Sequence, residues 1–105
     1  MTPRTVADGS RRARSQLLLR YRRSPEVLWR STPSGVVILP PGEREPLLLE
    51  STGIALWEVL AKPVTLDAAA QALADAYGVE PNRVAVDIEP VIDVLVRRGV
   101  IVAGN

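Results

Sequence analysis

Proline and glycine punctuation constrains this chain most. Nine prolines and seven glycines are spread over 105 residues, and in the first half they leave only short apolar runs. Residues 26–30 are short and β-prone. Thr32-Pro33-Ser34-Gly35 is a turn by composition, since proline pre-sets one turn dihedral and glycine admits the dihedrals other residues avoid. Residues 36–39, Val-Val-Ile-Leu, form a second β-rich run between Gly35 and Pro40. Pro41-Gly42-Glu43-Arg44 is another turn, and residues 46–49 form a third run. Short connections between three consecutive strands predict an antiparallel meander. Pro46 cannot donate to a ladder, so it belongs at a strand start or on an open edge.

The spacing then changes from that of strands to that of helices. Ser51 or Thr52 can cap a first helix with Ile54, Leu56, Trp57 and Leu60 as its stripe, ended by Lys62-Pro63. Thr65 starts a second helix, with Asp67 in its first turn. Leu66, Ala69, Ala70, Leu73, Ala76 and Tyr77 repeat at helical spacing up to Gly78. A third helix opens near Pro81-Asn82, carries Val84, Ile88, Val91, Ile92, Leu95 and Val96, and ends at Gly99. Pro90 removes one hydrogen bond inside it and predicts a kink. Residues 100–102 can add a closing strand. The expected class is α+β: a winged helix-turn-helix, with a three-stranded antiparallel sheet followed by three helices. Aromatics are few, with two Trp, two Tyr and no Phe, so the core is aliphatic.

Charge divides the chain. Residues 1–23 carry seven arginines against Asp8, and residues 24–105 carry six cations against eleven carboxylates; the halves stand at +6 and −5 within a net charge of +1. This predicts a flexible basic arm over 1–23 and a single domain over 24–105. Within the arm, Leu17, Leu19 and Tyr21 alternate, which also fits a strand joining the sheet.

There is no cysteine and no histidine. The thiol nucleophile, the imidazole base, the disulfide and the commonest metal ligand are therefore all absent. No glycine-rich phosphate loop occurs. Asp87, Glu89 and Asp93 cluster on the third helix, but only Glu89 and Asp93 share a face, and two carboxylates without a third ligand make a poor metal site. The expectation is a binding protein with no catalytic residues, no metal and no cofactor. No apolar run approaches the roughly 18 residues of a membrane span, so a cytoplasmic protein is expected.

The run Glu50-Ser51-Thr52-Gly53-Ile54-Ala55-Leu56-Trp57-Glu58-Val59-Leu60 resembles the strand-to-helix passage of the pyrroloquinoline-quinone biosynthesis protein D family. Thr65-Leu66-Asp67, Ala72-Leu73 and Tyr77-Gly78-Val79 are similar to its second helix. Asp87, Leu95 and Arg98-Gly99-Val100-Ile101 match its third. The resemblance spans residues 26 to about 102, with Glu50 where the family often has Asn and with Pro90 as a second departure. Such domains recognise ribosomally synthesised, modified peptides, and the stand-alone leader-binding proteins of lasso-peptide clusters are the most similar group.

The resemblance implies that a precursor's leader peptide adds as a strand to the third predicted strand, with the third helix as the opposite wall. Leu47, Leu48 and Leu49, behind Pro46, would form the edge. Val84, Ile88, Val91 and Leu95 would line the wall, and Arg44, Glu45 and Asp87 would stand at the rim. The implied partners are that peptide and a leader peptidase, cyclase or other modifying enzyme. Two alternatives remain: a DNA-binding winged helix using the basic arm, against which the acids of the third helix weigh, and an adaptor subunit of a larger enzyme.

Overall fold

In the computed structural model, which describes residues 19–104, the first hairpin is closed by a threonine. The Thr32 hydroxyl accepts from the Ser34 N–H at 3.2 Å and donates to the Gly35 carbonyl at 3.1 Å. Pro33 and Ser34 are thereby fixed as the loop between β2 (Leu28–Thr32) and β3 (Gly35–Leu39). These two strands pair antiparallel from Thr32↔Gly35 to Leu28↔Leu39. After the Pro41-Gly42 turn, β4 (Leu47–Leu49) returns along β3 in the register Val36↔Leu49, Val37↔Leu48, Ile38↔Leu47. The sheet order is β2-β3-β4, so β4 is an outer strand, and Pro46 stands just before it.

Helices α1 (Thr52–Val59), α2 (Leu66–Tyr77) and α3 (Pro81–Arg97) follow. The Thr65 hydroxyl caps α2 by accepting from the Ala68 N–H at 3.1 Å. Gly78 ends it in the left-handed conformation, at φ 67°. At the end of α3 the N–H of Gly99 bonds to the Val96 carbonyl and that of Val100 to the Leu95 carbonyl, at 3.0 and 2.9 Å. This double closure, with Gly99 at φ 74°, reverses the chain after the helix. The helix continues through Pro90, which lies on the exposed side. There the carbonyl that has lost its donor can meet water.

One arrangement differs from the sequence expectation. Arg20–Arg23, assigned above to the arm, form strand β1; it joins the C-terminal β5 (Ile101–Gly104) rather than the three-stranded sheet. The reversal at Gly99 brings β5 alongside, and two buried side chains, Tyr21 and Ile101, anchor the pair. Tyr21 also bonds to Val64 through both backbone groups, at 2.8 and 3.0 Å. Burial pushes the Tyr21 phenol above its ordinary value, and the nearby Asp93 and Glu89 carboxylates act in the same direction. Residues 1–18, the rest of the expected arm, lie outside the described residues.

The core lies between the sheet and the helices, with Ile38, Leu56, Trp57, Leu60, Leu73, Ile92, Leu95 and Ile101 fully buried. Ala69, Ala70 and Ala74 let α2 approach α3 closely. Arg23 ties β1 to this body. Its Nε and Nη2 donate to the Trp57 carbonyl at 2.9 and 2.6 Å, and its guanidinium lies 4.7 Å from the ring centres of both Trp29 and Trp57. Those rings meet edge to face at 5.6 Å. No helix among the described residues is long and apolar enough to cross a membrane.

The passage from β4 into α1 is strained. Ser51 sits at φ 51°, ψ −120°, while the Gly53 N–H bonds to the Glu50 carbonyl at 2.8 Å. This is the first central position of a tight turn that favours glycine. Ser51 makes no side-chain cap bond in return. Ser51→Gly is expected to raise the free energy of unfolding by about 1 kcal/mol, because relief of strain exceeds the added chain entropy. Urea denaturation reads this; a loss of similar size would refute the strain.

Candidate functional site: an open strand edge beside an apolar cleft

Two glycines position β4. A Cβ at Gly35 would collide with the Leu49 carbonyl, and one at Gly53 would lie 3.2 Å from the Leu49 Cβ. The missing side chain at Gly35 lets β4 lie flat on β3, and at Gly53 a Cβ would press tightly on Leu49 where α1 starts against it. Leu49 is buried in this corner. Leu47 is half-buried against the core, and Leu48, on the other face of the sheet, is 44% exposed. The outer side of β4 pairs with no strand among the described residues. Its N–H and C=O groups on that side are available to another extended chain.

Gly53 also lines a cleft of about 300 Å³ that opens beyond this corner. Thr52 and Leu56 continue its wall on α1, Leu73, Tyr77 and Val79 supply the α2 side, and Val84, Asp87, Ile88 and Val91 supply α3. Leu56, Leu73, Val84 and Ile88 are buried and make the floor. Tyr77, Val79 and Val91 stand 53%, 49% and 39% exposed at the mouth. Three large apolar side chains around one opening are unusual for a surface that meets only water. Asp87 is the carboxylate at the rim, and it makes no hydrogen bond or ion pair among the described residues.

The structure brings together four of the residues expected from sequence, Val84, Asp87, Ile88 and Val91. Leu95 is fully buried in the core, below the cleft rather than in its lining. Arg44, Glu45 and Pro46 are exposed on the connection before β4. That connection is held to the end of α3 by an ion pair, with Arg98 Nη2 2.5 Å and Nε 3.2 Å from Glu43 Oε1. The sequence reading missed Thr52, Gly53, Leu56, Leu73, Tyr77 and Val79. Tyr77 beside a helix-ending glycine was the available signal, because an aromatic at a helix terminus seldom has a complete set of core neighbours. Among the described residues no group of three or more acids stands close enough to hold a metal ion.

The family model described as coenzyme PQQ synthesis protein D (PqqD) matches residues 35–101, well over half of the chain. That span contains β3, β4, all three helices and the whole cleft lining. None of the curated proteins matches the chain. Among solved structures, the chain is similar to the PqqD truncation of Methylobacterium extorquens PqqCD, described as a functional and stand-alone recognition element for ribosomally synthesised and post-translationally modified peptides. The TM-score is 0.65 at 22% identity, covering 79% of this chain and 88% of that one, a likeness of fold.

Exposure separates cleft from core in a way that substitution can read. Val91→Asp is expected to leave a folded domain, whereas Leu95→Asp should lose cooperative unfolding, since an unpaired carboxylate in the core costs several kcal/mol. Thermal melts followed by circular dichroism distinguish the two; unfolding of the Val91 variant would place that residue in the core.

Proposed function

The chain belongs to the family of coenzyme PQQ synthesis protein D, and on that footing we propose that it captures the leader region of a ribosomally made precursor peptide and delivers it to modifying enzymes. The leader adds as a strand along the outer side of β4. The observation that carries this reading is the free β4 edge set directly beside an open apolar cleft. Main-chain bonds along β4 supply affinity, and alternate side chains entering the cleft over Ile88 and Val91 supply specificity. Asp87 at the rim favours a cationic or hydrogen-bond-donating leader residue. As an exposed group it adds about 0–1 kcal/mol, enough to tune the choice of peptide but not to drive binding.

Leu48 contributes through its backbone, because its side chain stands on the far face of the sheet. Leu47, Leu49 and Leu95 act from beneath, by holding β4 and α3 in place. Arg44, Glu45 and Pro46 flank the end of the edge where a longer leader would continue. A lasso-peptide precursor is the proposed ligand within this class, and the leader peptidase and cyclase are the proposed recipients. The role is one of binding without catalysis or cofactor, in the cytoplasm where such precursors are made. The related M. extorquens domain, described as a recognition element on its own, supports this reading.

Fluorescence polarisation with labelled leader and core halves of the candidate precursor tests it, with a DNA duplex as control. Saturable binding of the leader half is expected, little changed by salt, and weakened at least about tenfold by Val91→Asp. Binding of neither half, together with salt-sensitive DNA binding, would overturn the reading in favour of a DNA-binding role for the basic N-terminal segment.

A further inference from the structure

The face of the sheet turned away from the core is apolar. Cross-strand partners share a face, so Leu28 and Leu39 stand together in one row, and Arg30, Val37 and Leu48 in the next. Leu28 is 69% exposed and Leu48 44%. Val37 and Leu39 are half-buried, and with Leu28, Trp29 and Arg30 they line a shallow depression of about 200 Å³. An antiparallel sheet with one solvated face ordinarily carries polar side chains there. Arg30 is the one charged residue among the outward positions of the three strands, and its guanidinium makes no hydrogen bond or ion pair among the described residues.

We infer that this outer face, Leu28, Arg30, Val37 and Leu39, is the docking surface for the modifying enzyme, which meets it with an apolar patch bearing a carboxylate. The inference rests on the reading of β4 as the peptide-binding edge. A second copy of the chain fits poorly: two-fold pairing places the patch against itself, and the patch contains no acid to meet Arg30. Self-association would therefore bring together two guanidinium groups with no carboxylate of the patch between them, an unfavourable arrangement. A partner carrying one carboxylate in an apolar surround satisfies both features and gains specificity from the pair.

Position supplies the second argument. The opposite face of β3 and β4 is covered by the helices and the core, so a partner reaches these two strands broadside from this side. A peptide strand added to β4 would lie about 5 Å beyond Leu48 and would present every second side chain on the same face. An enzyme docked there would stand beside the captured peptide, where delivery requires it.

The experiment uses the purified modifying enzymes encoded beside this chain's gene, immobilised for biolayer interferometry, and the chain with and without labelled leader peptide. Leu28→Asp and Arg30→Glu should each weaken enzyme binding at least about tenfold while leader binding stays within about twofold of wild type. Both side chains are exposed, so both variants should fold, as circular dichroism would verify. Enzyme binding equal to wild type in both variants would overturn the inference, as would an absence of enzyme binding by the peptide-loaded chain. A concentration-dependent dimer in sedimentation, abolished by Leu28→Asp, would instead assign the face to a second copy. If wild type binds no leader, the proposed function fails separately, and enzyme binding by the unloaded chain still decides the role of this face.

Discussion

The close approach of β4 to α1 at Leu49 is the contact on which the rest of the molecule depends. Gly35 admits the Leu49 carbonyl from one side, and Gly53 admits its side chain from the other. A side chain at Gly35 would lift β4 from β3, and one at Gly53 would force Leu49 and α1 apart by a few tenths of an ångström. Ser51 accepts an unfavourable backbone conformation to make the turn between them. The outcome is a strand whose outer edge pairs with no other strand among the described residues and whose next residues are already the wall of a cleft. Edge and cleft share one corner, so a single extended ligand can use both.

Around that corner the chain is closed by its two ends. β1 pairs with β5, Tyr21 fills the gap against Val64, and Arg23 lies against both tryptophan rings. Arg23 is the more economical of these devices. One side chain satisfies a helix-end carbonyl, stacks on two aromatic rings and fixes β1 against α1 and β2. The closing strands lie outside the matched family span, residues 35–101, apart from Ile101. β3, β4 and the three helices, which form the corner, lie within that span.

Much of the fold was legible because local chemistry and tertiary structure agree. Pro33, Gly35, Pro41, Pro63, Gly78 and Gly99 end or turn elements where their dihedrals dictate, and Thr65 caps the helix it was expected to cap. The β1–β5 pair was not legible as such. Leu19 and Tyr21 alternate like a strand, but alternation does not name a partner, and the two strands are separated by nearly the whole chain. The site was legible on α3 and illegible on α1 and α2. Val84, Ile88 and Val91 form one stripe on a helix, and a stripe can be read from spacing. The cleft's other walls come from three separate elements whose apolar residues look like core in sequence. Leu95 belongs to the same stripe as Val91, and only the depth of burial separates them. The outer face was hidden for a related reason: Leu28, Val37 and Leu48 lie in runs where both faces are apolar, so alternation could not mark which face meets water.

The account centres on strand addition at β4, and amide hydrogen exchange of the isotope-labelled chain, followed by NMR with and without the leader peptide, tests it most directly. New protection confined to β4, with shift changes in α1 and α3 around Gly53 and Val91, is the predicted result. Leader binding that protects no amide of β4, or that protects β2 or β1 instead, would contradict the account.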